Sequence, residues 1–343
     1  MKDAAVSVLQ HDQVAEYLAA IGILPPDATP RVEQLTGGVS SAVFRVTWDS
    51  HAVVVKQALP KLQVRDDWTS RVERSATEAR AAIVLERLLP PGTILPPLHV
   101  DERRSLFVMP SAPAGAETWK ALLMRGELSS VSARTVGHML GLLHARSRST
   151  PDLAIEFADR QDFVALRVDP YLHVTAERRP EVAAPIEKHT ARMLSVRECL
   201  VHGDYSPKNF LVEPSRPAAM ILLDHEVCHW GDPAFDVAFC LTHLHLKACT
   251  FSQRTSEFLD LAQVFWRAYL EAALVAQNSS LEGNVVGLLG CLLAARVDGK
   301  SPAEYLTTDA LRRRVRRLAD AILLEEPATL HEVRELTLAP SPA

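Results

Sequence analysis

The hydrophobic pattern changes along the chain, from strand-like runs to helical spacing. Three early runs are rich in β-branched and aromatic residues, which predicts β-strands; they span residues 31–35, 39–48 and 52–57. Gly37 and Gly38 lie between the first two runs and predict a hairpin turn. Beyond residue 116 apolar residues recur mostly at helical spacing, so we expect a helical second part.

The remaining elements extend this division. Helices are predicted over 12–22 and 70–89, and a further hairpin over 98–109. A stretch rich in Pro, Gly and Ala then indicates a hinge. We therefore predict an α+β chain of two lobes. These are a small N-lobe with an antiparallel sheet at 1–110, a hinge at 111–116, and a larger, mostly helical C-lobe at 117–343.

Composition narrows the class of protein. The chain has 343 residues and a net charge of −5, which gives no support to nucleic-acid binding. Its five cysteines form no C-x-x-C pair, so we expect free thiols and a cytoplasmic protein. We also expect no signal peptide and no membrane segment, because no run approaches the roughly 20 apolar residues that span a bilayer. A homodimer is left open, since no heptad seam decides the oligomeric state.

Two nearby segments carry the candidate chemistry. His202-Gly-Asp204 is followed by Asn209 and a short apolar run, and a second apolar run leads to Asp224 and Glu226. Phosphoryl transfer needs a carboxylate to orient the attacking hydroxyl and oxygen ligands to hold Mg²⁺. We predict Asp204 for the first role and Asn209 with Asp224 for the second. Glu226 is a further candidate ligand, direct or through water.

The order and spacing of these residues resemble a known superfamily. His202-Gly-Asp-x-x-x-x-Asn209, with Asp224-His-Glu and Gly-Asp232-Pro-x-x-Asp236, is similar to aminoglycoside phosphotransferases and choline kinases. The resemblance implies a protein-kinase-like bilobal fold and an ATP- and Mg²⁺-dependent kinase for a small-molecule hydroxyl acceptor. It also implies that Asp204 is the catalytic base and that Asp236 braces the catalytic loop. Asp232 followed by proline independently predicts a helix N-cap.

The N-lobe should then hold ATP. Lys56 follows three valines in a predicted strand, like the strand lysine of kinases that pairs the ATP phosphates. A buried lysine without a partner would be unfavourable, so we expect it to form an ion pair. Glu78, on the predicted helix, is the preferred partner and Glu73 the weaker alternative.

The rest of the predicted nucleotide site is backbone and hydroxyl groups. The phosphate-covering turn is predicted at Gly37, Gly38, Ser40 and Ser41. Pro110 has no amide hydrogen, so adenine contacts are expected from the backbone near Met109 and Ser111.

A second resemblance suggests the acceptor. Lys56-Gln-Ala-Leu-Pro60, with Trp68, Arg74 and Glu78, resembles the same region of methylthioribose kinases. Further on, Gly290, Arg296 and Gly299 keep the spacing of a segment that carries paired arginines for the substrate in those kinases. Ala295 replaces the first of the pair, and Asn209 follows the aminoglycoside pattern instead, which argues against methylthioribose itself.

The acceptor is therefore predicted only by class. A sugar-like metabolite is the leading interpretation, and an aminoglycoside or amino alcohol is the alternative. The acceptor-side candidates are Arg296, Asp298, Lys300 and His229.

Three other interpretations of the sequence need a test. His225-Glu-x-x-His229 matches a zinc-protease motif, which functions only on a helix, whereas a strand is predicted before it. A pseudokinase that binds nucleotide without catalysis is a second alternative. The basic run at 312–317 predicts a solvated helix face, with a phosphate or nucleic-acid patch as the alternative.

Overall fold

The structure, a computed structural model, describes residues 8–35, 40–61, 69–274 and 280–339. The strands are β1 Arg31–Gln34, β2 Ser41–Trp48, β3 His51–Ala58, β4 His99–Asp101, β5 Leu106–Pro110, β6 Glu117–Thr118, β7 Cys199–Val201, β8 Phe210–Glu213, β9 Arg216–Leu222 and β10 His229–Gly231. The α-helices are α1 Gln13–Ala20, α2 Arg74–Leu88, α3 Trp119–Met124, α4 Ser130–Arg148, α5 Asp152–Glu156, α6 Gln161–Phe163, α7 Val174–Arg178, α8 Ala183–Ser195, α9 Pro233–Thr250, α10 Thr255–Ala273, α11 Ser280–Asp298, α12 Asp309–Glu325 and α13 Leu330–Leu338. A π-helical segment, Val164–His173, continues α6, and single 3₁₀ turns lie at Glu102–Arg104, Pro180–Val182, Pro207–Asn209 and Ser252–Arg254.

The N-lobe is built on a five-stranded antiparallel sheet with strand order β1-β2-β3-β5-β4. Strand β2 alternates buried residues such as Phe44 and Val46 with more exposed ones, so one face of the sheet packs on helix α1 around Val14. The antiparallel N-lobe sheet is confirmed. Strands β1 and β2 pair as predicted, although Gly37 and Gly38 between them lie outside the described residues.

Helix α2 connects the two lobes. It begins at Arg74, four residues after the predicted start, and its buried residues Ala81 and Leu85 belong to the C-lobe core instead of the N-lobe core. Its contacts reach strands β3 and β5 on one side and helix α4 on the other. The first turns of α2 are therefore fixed between the sheet and the C-lobe.

The C-lobe is a packed set of helices, as predicted. Helices α4 and α10 pack closely enough that a Cβ on Gly141 would lie 2.6 Å from the carbonyl oxygen of Tyr269. Within the described residues, Ser280–Asp298 (α11) is the one helix long and apolar enough to cross a membrane. Most of it is buried against α8, α9 and α12, which is the arrangement of a core helix.

Short strands interrupt the helices where the two candidate segments lie. Strand β6 pairs with β8 and β8 with β9, while β7 pairs with β10. Asp204 and Asn209 precede β8, and Asp224 follows β9, so the β8–β9 hairpin brings the two segments together. Residues 111–116 lie between β5 and β6, which is consistent with the predicted hinge.

Candidate active site

The loop between β7 and β8, which carries Asp204, is held in place by the first turn of helix α9. Asp236, buried on the first turn of α9, accepts hydrogen bonds from the amides of His202 at 2.6 Å and Gly203 at 2.8 Å. Asp232 caps the same helix by accepting from the Ala234 amide at 3.0 Å. These contacts agree with the predicted bracing role of Asp236 and capping role of Asp232.

Gly203 sets the direction of this loop. Its φ is +78°, a region that side-chain-bearing residues rarely adopt, and a Cβ there would lie 2.8 Å from the Val227 carbonyl oxygen. Its own carbonyl accepts from Arg167 Nε at 3.2 Å. The backbone before Asp204 therefore has one conformation available.

Asp204 is nearly fully buried and is held by three donors. Its Oδ2 accepts from Arg167 Nη2 at 2.8 Å, Lys208 Nζ at 2.8 Å and Asn209 Nδ2 at 2.9 Å. Burial favours the neutral acid, but the charges of Arg167 and Lys208 outweigh it and lower the pKa of Asp204. The carboxylate is therefore ionised, and the other oxygen, Oδ1, receives none of these three bonds.

Lys56 bridges the N-lobe to the second segment. Its Nζ lies 2.5 Å from Glu78 Oε1 and 2.7 Å from Asp224 Oδ1. Burial opposes its charge, but Asp224, Glu78 and Glu226 together raise the pKa of Lys56. The predicted Lys56–Glu78 ion pair is thus formed, whereas the alternative partner Glu73 is exposed beside the start of α2.

Three carboxylates meet at this point. Oxygens of Glu78, Asp224 and Glu226 lie within 4.8 Å of one another. Burial first, and repulsion from the other two carboxylates, raise the pKa of Glu78. Asp224 also has a left-handed φ of +68°, the kind of strained backbone found at functional sites. Clustered hard oxygen donors fit a divalent cation, which would relieve the repulsion.

Arg74 binds Glu226 and connects it to the N-lobe. The sequence pattern assigned no functional role to this arginine. It is fully buried, and its Nε donates to Glu226 Oε2 at 2.9 Å. Its Nη2 donates to the carbonyls of Ser40 and of Leu59, the latter at 2.8 Å. Arg74 lies one turn before Glu78 on α2, and that i, i+4 spacing was the available signal.

The Arg74–Glu226 pair gives a stability prediction. We expect Arg74→Met to lower the free energy of unfolding by about 3–5 kcal/mol, because it leaves a buried carboxylate without its partner. Urea unfolding measures this loss. Arg80→Met, at an exposed position of the same helix, is the control and should change stability by less than about 0.5 kcal/mol. An equal effect of the two substitutions would contradict the assigned role of the pair.

The described residues predicted to contact the nucleotide belong to strands β2 and β5 or lie next to them. Ser40 and Ser41 are buried at the start of β2, whereas Gly37, Gly38 and Trp68 lie outside the described residues. Met109 is half-buried in β5. The Ser111 amide, one of the predicted adenine contacts, donates to the Ala52 carbonyl at 3.1 Å.

The predicted acceptor-side residues divide into two groups. His229 is buried with its ring stacked 3.9 Å from that of Phe163, and burial lowers its pKa to about 4, which indicates packing instead of acceptor contact. Asp298 is held by Arg179 at 2.8 Å and Arg316 at 2.6 Å, which indicates a structural ion-pair cluster.

Arg296 and Lys300 remain as acceptor-side candidates. Arg296 Nη1 contacts the Tyr171 hydroxyl at 3.3 Å, and the Lys300 amide donates to the Pro170 carbonyl at 2.9 Å. Both contacts lie on the π-helical segment that also carries Arg167. These two residues therefore lie near the element that holds Asp204.

The zinc-protease interpretation is excluded by local structure. His225, Glu226 and His229 lie on the segment between β9 and β10 and at the start of β10, not on a helix, and Glu226 is paired with Arg74.

The basic run lies on α12, where Arg313 and Arg317 are exposed, as predicted for a solvated face. The half-buried Arg316 binds Asp298 at 2.6 Å, and Arg314 Nη1 donates to the Cys249 carbonyl at 3.0 Å.

A small antiparallel lobe over a helical lobe, with this carboxylate site between them, defines a protein-kinase-like phosphotransferase. Residues 31–274 match the phosphotransferase enzyme family, APH. That match covers more than half of the chain, so the protein belongs to this family, and the predicted fold class and phosphotransferase activity are confirmed.

Individual relatives are distant. The chain is 23% identical over 254 residues to a 4-hydroxytryptamine kinase of Psilocybe cyanescens, covering 65% of this chain and 70% of that protein. Among solved structures, an amicoumacin kinase in complex with AMP-PNP, Ca²⁺ and its ligand is 14% identical, with a TM-score of 0.54 over 93% of this chain and 96% of that one. An ethanolamine kinase of Plasmodium vivax is 11% identical, with a TM-score of 0.53 over 98% and 90%. At these identities the structures establish the fold.

Proposed function

We propose that this phosphotransferase transfers the γ-phosphoryl group of ATP to a hydroxyl group of a small acceptor. The acceptor is a sugar-like molecule or another molecule that is neutral or negatively charged. One observation carries the proposal: an ionised, clamped Asp204 lies beside a Lys56–Glu78–Asp224 site that suits a metal-bound nucleotide. The related amicoumacin kinase structure, which contains AMP-PNP and Ca²⁺, supports the choice of a nucleotide and a divalent cation.

Each group then has a defined role. Lys56 binds the nucleotide phosphates, with Ser40 and Ser41 near them, and Gly37 and Gly38 are proposed to cover them. Met109 and Ser111 contact adenine. Asp224, Glu226 and Asn209 would hold Mg²⁺, which would neutralise charge on the transferring phosphate. The clustering of Asp224 and Glu226 carboxylate oxygens within 4.8 Å of each other supports this placement of the cation.

Asp204 acts on the acceptor. Its Oδ1 accepts a hydrogen bond from the acceptor hydroxyl and aligns that oxygen with the γ-phosphorus. The new O–P bond forms as the bond to the ADP oxygen breaks, and the hydroxyl proton passes to Asp204. Because its pKa is lowered, Asp204 takes the proton late, as a loose phosphoryl-transfer transition state allows.

Two cations beside Asp204 affect the choice of acceptor. Arg167 and Lys208 lie 2.8 Å from its carboxylate, so a polycationic acceptor would meet repulsion there. This favours a sugar-like acceptor over the alternative aminoglycoside or amino alcohol. The methylthioribose kinase resemblance also supports a sugar, although the family match ends at residue 274, before Arg296.

An ADP-release assay tests the function. We expect ATP-dependent turnover with at least one sugar, hydroxy acid or amino alcohol of a broad panel, and its loss when EDTA removes the divalent cation. Restoration by added Mg²⁺ is the control for chelation. Tight ATP binding without turnover of any acceptor would favour the pseudokinase alternative, and absence of ATP binding would contradict the proposal.

A further inference from the structure

Lys247 is a buried lysine that forms no ion pair with any of the described residues. It lies in the C-terminal part of α9, is fully buried, and its Nζ donates to the His243 carbonyl at 3.2 Å and lies 5.2 Å from the centre of the Tyr305 ring. Among the described residues, no carboxylate oxygen lies within 4 Å of it. An unpaired ammonium group in the interior is strongly unfavourable, so its retention calls for a functional reason.

Two neighbouring groups also have unused donors. Arg296 is buried, and its Nη1 reaches the Tyr171 hydroxyl and Ser301 Oγ, at 3.3 and 3.0 Å. Within the part of the chain that the structure describes, neither Arg296 Nε nor the buried hydroxyl of Tyr305 has a hydrogen-bond partner. Buried donors are normally satisfied, so three unmet donors in one neighbourhood indicate a missing acceptor of hydrogen bonds.

The net charge of this neighbourhood is positive. Lys120, Lys247 and Arg296 contribute cations, and each of the other two lowers the pKa of Lys247. Glu304 is the nearby acid, and it is already paired with Lys120. His243, buried on the same face of α9, has its pKa lowered by burial and is therefore neutral.

This positive neighbourhood is continuous with the catalytic aspartate. Arg296 contacts Tyr171, which lies four residues after Arg167 on the π-helical segment, and Arg167 binds Asp204 at 2.8 Å. The ring of Tyr171 also contacts Phe239, one turn before His243 on α9. A chain of contacts therefore links the neighbourhood of Lys247 to Asp204.

We propose that Lys247, Arg296 and Tyr305 form a subsite for an anionic group of the acceptor, a carboxylate or a phosphate, distal to the hydroxyl that is phosphorylated. This inference rests on the proposed kinase function and adds the charge of its acceptor. Oxygens of such a group would accept from all three unused donors and neutralise the excess positive charge. Lys120, whose amine is partly exposed, adds positive charge beside Lys247.

A direct binding experiment does not depend on turnover. Inorganic sulfate is titrated calorimetrically at low ionic strength, with saturating Mg-ADP present so that the nucleotide phosphate positions are occupied. We expect one sulfate per chain, with affinity at least about tenfold weaker in Lys247→Met and severalfold weaker in Tyr305→Phe, because each loses a charged or neutral hydrogen bond. Lys188→Met, at an exposed amine on α8, is the control.

The thermal stability of the same variants separates a functional lysine from a structural one. Lys247→Met replaces an unpaired buried charge by an apolar chain, so its melting temperature should be equal to or above that of the parent protein. A lysine kept for folding would give a lower melting temperature. Wild-type protein that binds no sulfate, or a Lys247→Met variant that binds it equally well, overturns the subsite.

Acceptor kinetics provide the second arm. Matched pairs, such as glycerate with glycerol and ribose 5-phosphate with ribose, compare anionic and neutral acceptors and separate carboxylate from phosphate. We expect a lower KM for one anionic class, raised at least about tenfold by Lys247→Met with the KM for ATP unchanged. Equal use of neutral acceptors overturns the subsite but leaves the kinase function intact. Loss of ATP binding contradicts the kinase function itself.

The pH dependence has a defined sign. Burial, together with the charges of Lys120 and Arg296, lowers the pKa of Lys247 to about 7, although Glu304 and Cys240 oppose the shift. A bound anion favours the protonated amine and so raises that pKa. Sulfate affinity should therefore decline as pH rises above 7, and this decline should be absent in Lys247→Met. The same pH profile in both proteins would count against Lys247 as the anion contact.

Discussion

Asp204→Asn is expected to reduce kcat by about 10²–10⁴-fold, the usual contribution of a positioned general base. The amide keeps the shape of the side chain and one oxygen for Arg167 and Lys208, so the loop should stay folded. What is lost is the ionised oxygen that orients the acceptor hydroxyl and takes its proton. Steady-state turnover with the best acceptor measures the loss.

Nucleotide binding separates this effect from general damage. Lys56, Glu78 and Asp224 form their contacts without Asp204, so the Kd for ATP with Mg²⁺ should change by less than about threefold, within the scatter of an uninvolved site. Asp309→Asn, at an exposed position of α12, is the matched control and should retain full activity. Near-complete turnover by Asp204→Asn would exclude Asp204 as the base.

The sequence predicted those site residues whose positions follow from neighbouring strands and turns. Asp204, Asn209 and Asp224 are placed by two short strands and their intervening hairpin, so their order along the chain reflects their order in space. The Lys56–Glu78 pair was also accessible, because a lysine among valines in a central strand needs a buried partner.

The remaining contacts join positions that share no local pattern. Arg74 meets Glu226 across 152 positions, and Arg167 meets Asp204 from a π-helical segment that helical periodicity does not predict. Lys208 lies inside the recognised motif, yet its pairing with Asp204 depends on the turn that follows. Which of several cations reaches a carboxylate is settled by tertiary packing, which the sequence pattern leaves open.

Burial gives two of the predicted acceptor-side residues a structural role instead. His229 follows the predicted metal-binding segment, so its position in sequence suggested the acceptor cleft, but pairing of β10 with β7 places its ring against Phe163 in the core. Asp298 ends α11, where an exposed carboxylate is the usual outcome, but two arginines from α12 and the segment before α8 enclose it. Both differences come from neighbours that are distant in sequence.

The apolar helix α11 illustrates the same limit. Its 19 residues satisfy the length and hydropathy of a membrane span, contrary to the expectation that no such run exists. Burial on several sides against other helices explains the composition without a membrane. Arg296 lies near the end of this helix, so a core element also delivers a polar group to the proposed acceptor subsite.

Asp224→Asn is expected to remove the metal dependence of nucleotide binding. Asp224, which shares Lys56 with Glu78, clusters with Glu78 and Glu226, so a divalent cation held there would link the ATP phosphates to the C-lobe. Its loss should raise the Kd for ATP in the presence of Mg²⁺ by at least about 10- to 100-fold. In EDTA, the wild-type and Asp224→Asn proteins should bind ATP with similar affinity, because the substitution also removes a charge that repels the phosphates.

Calorimetric titration of ATP into both proteins, with and without Mg²⁺, gives the four affinities required. If Mg²⁺ strengthens ATP binding by Asp224→Asn as much as by the wild-type protein, the metal binds elsewhere than at this cluster. If the substitution weakens ATP binding equally with and without Mg²⁺, Asp224 serves mainly to position Lys56.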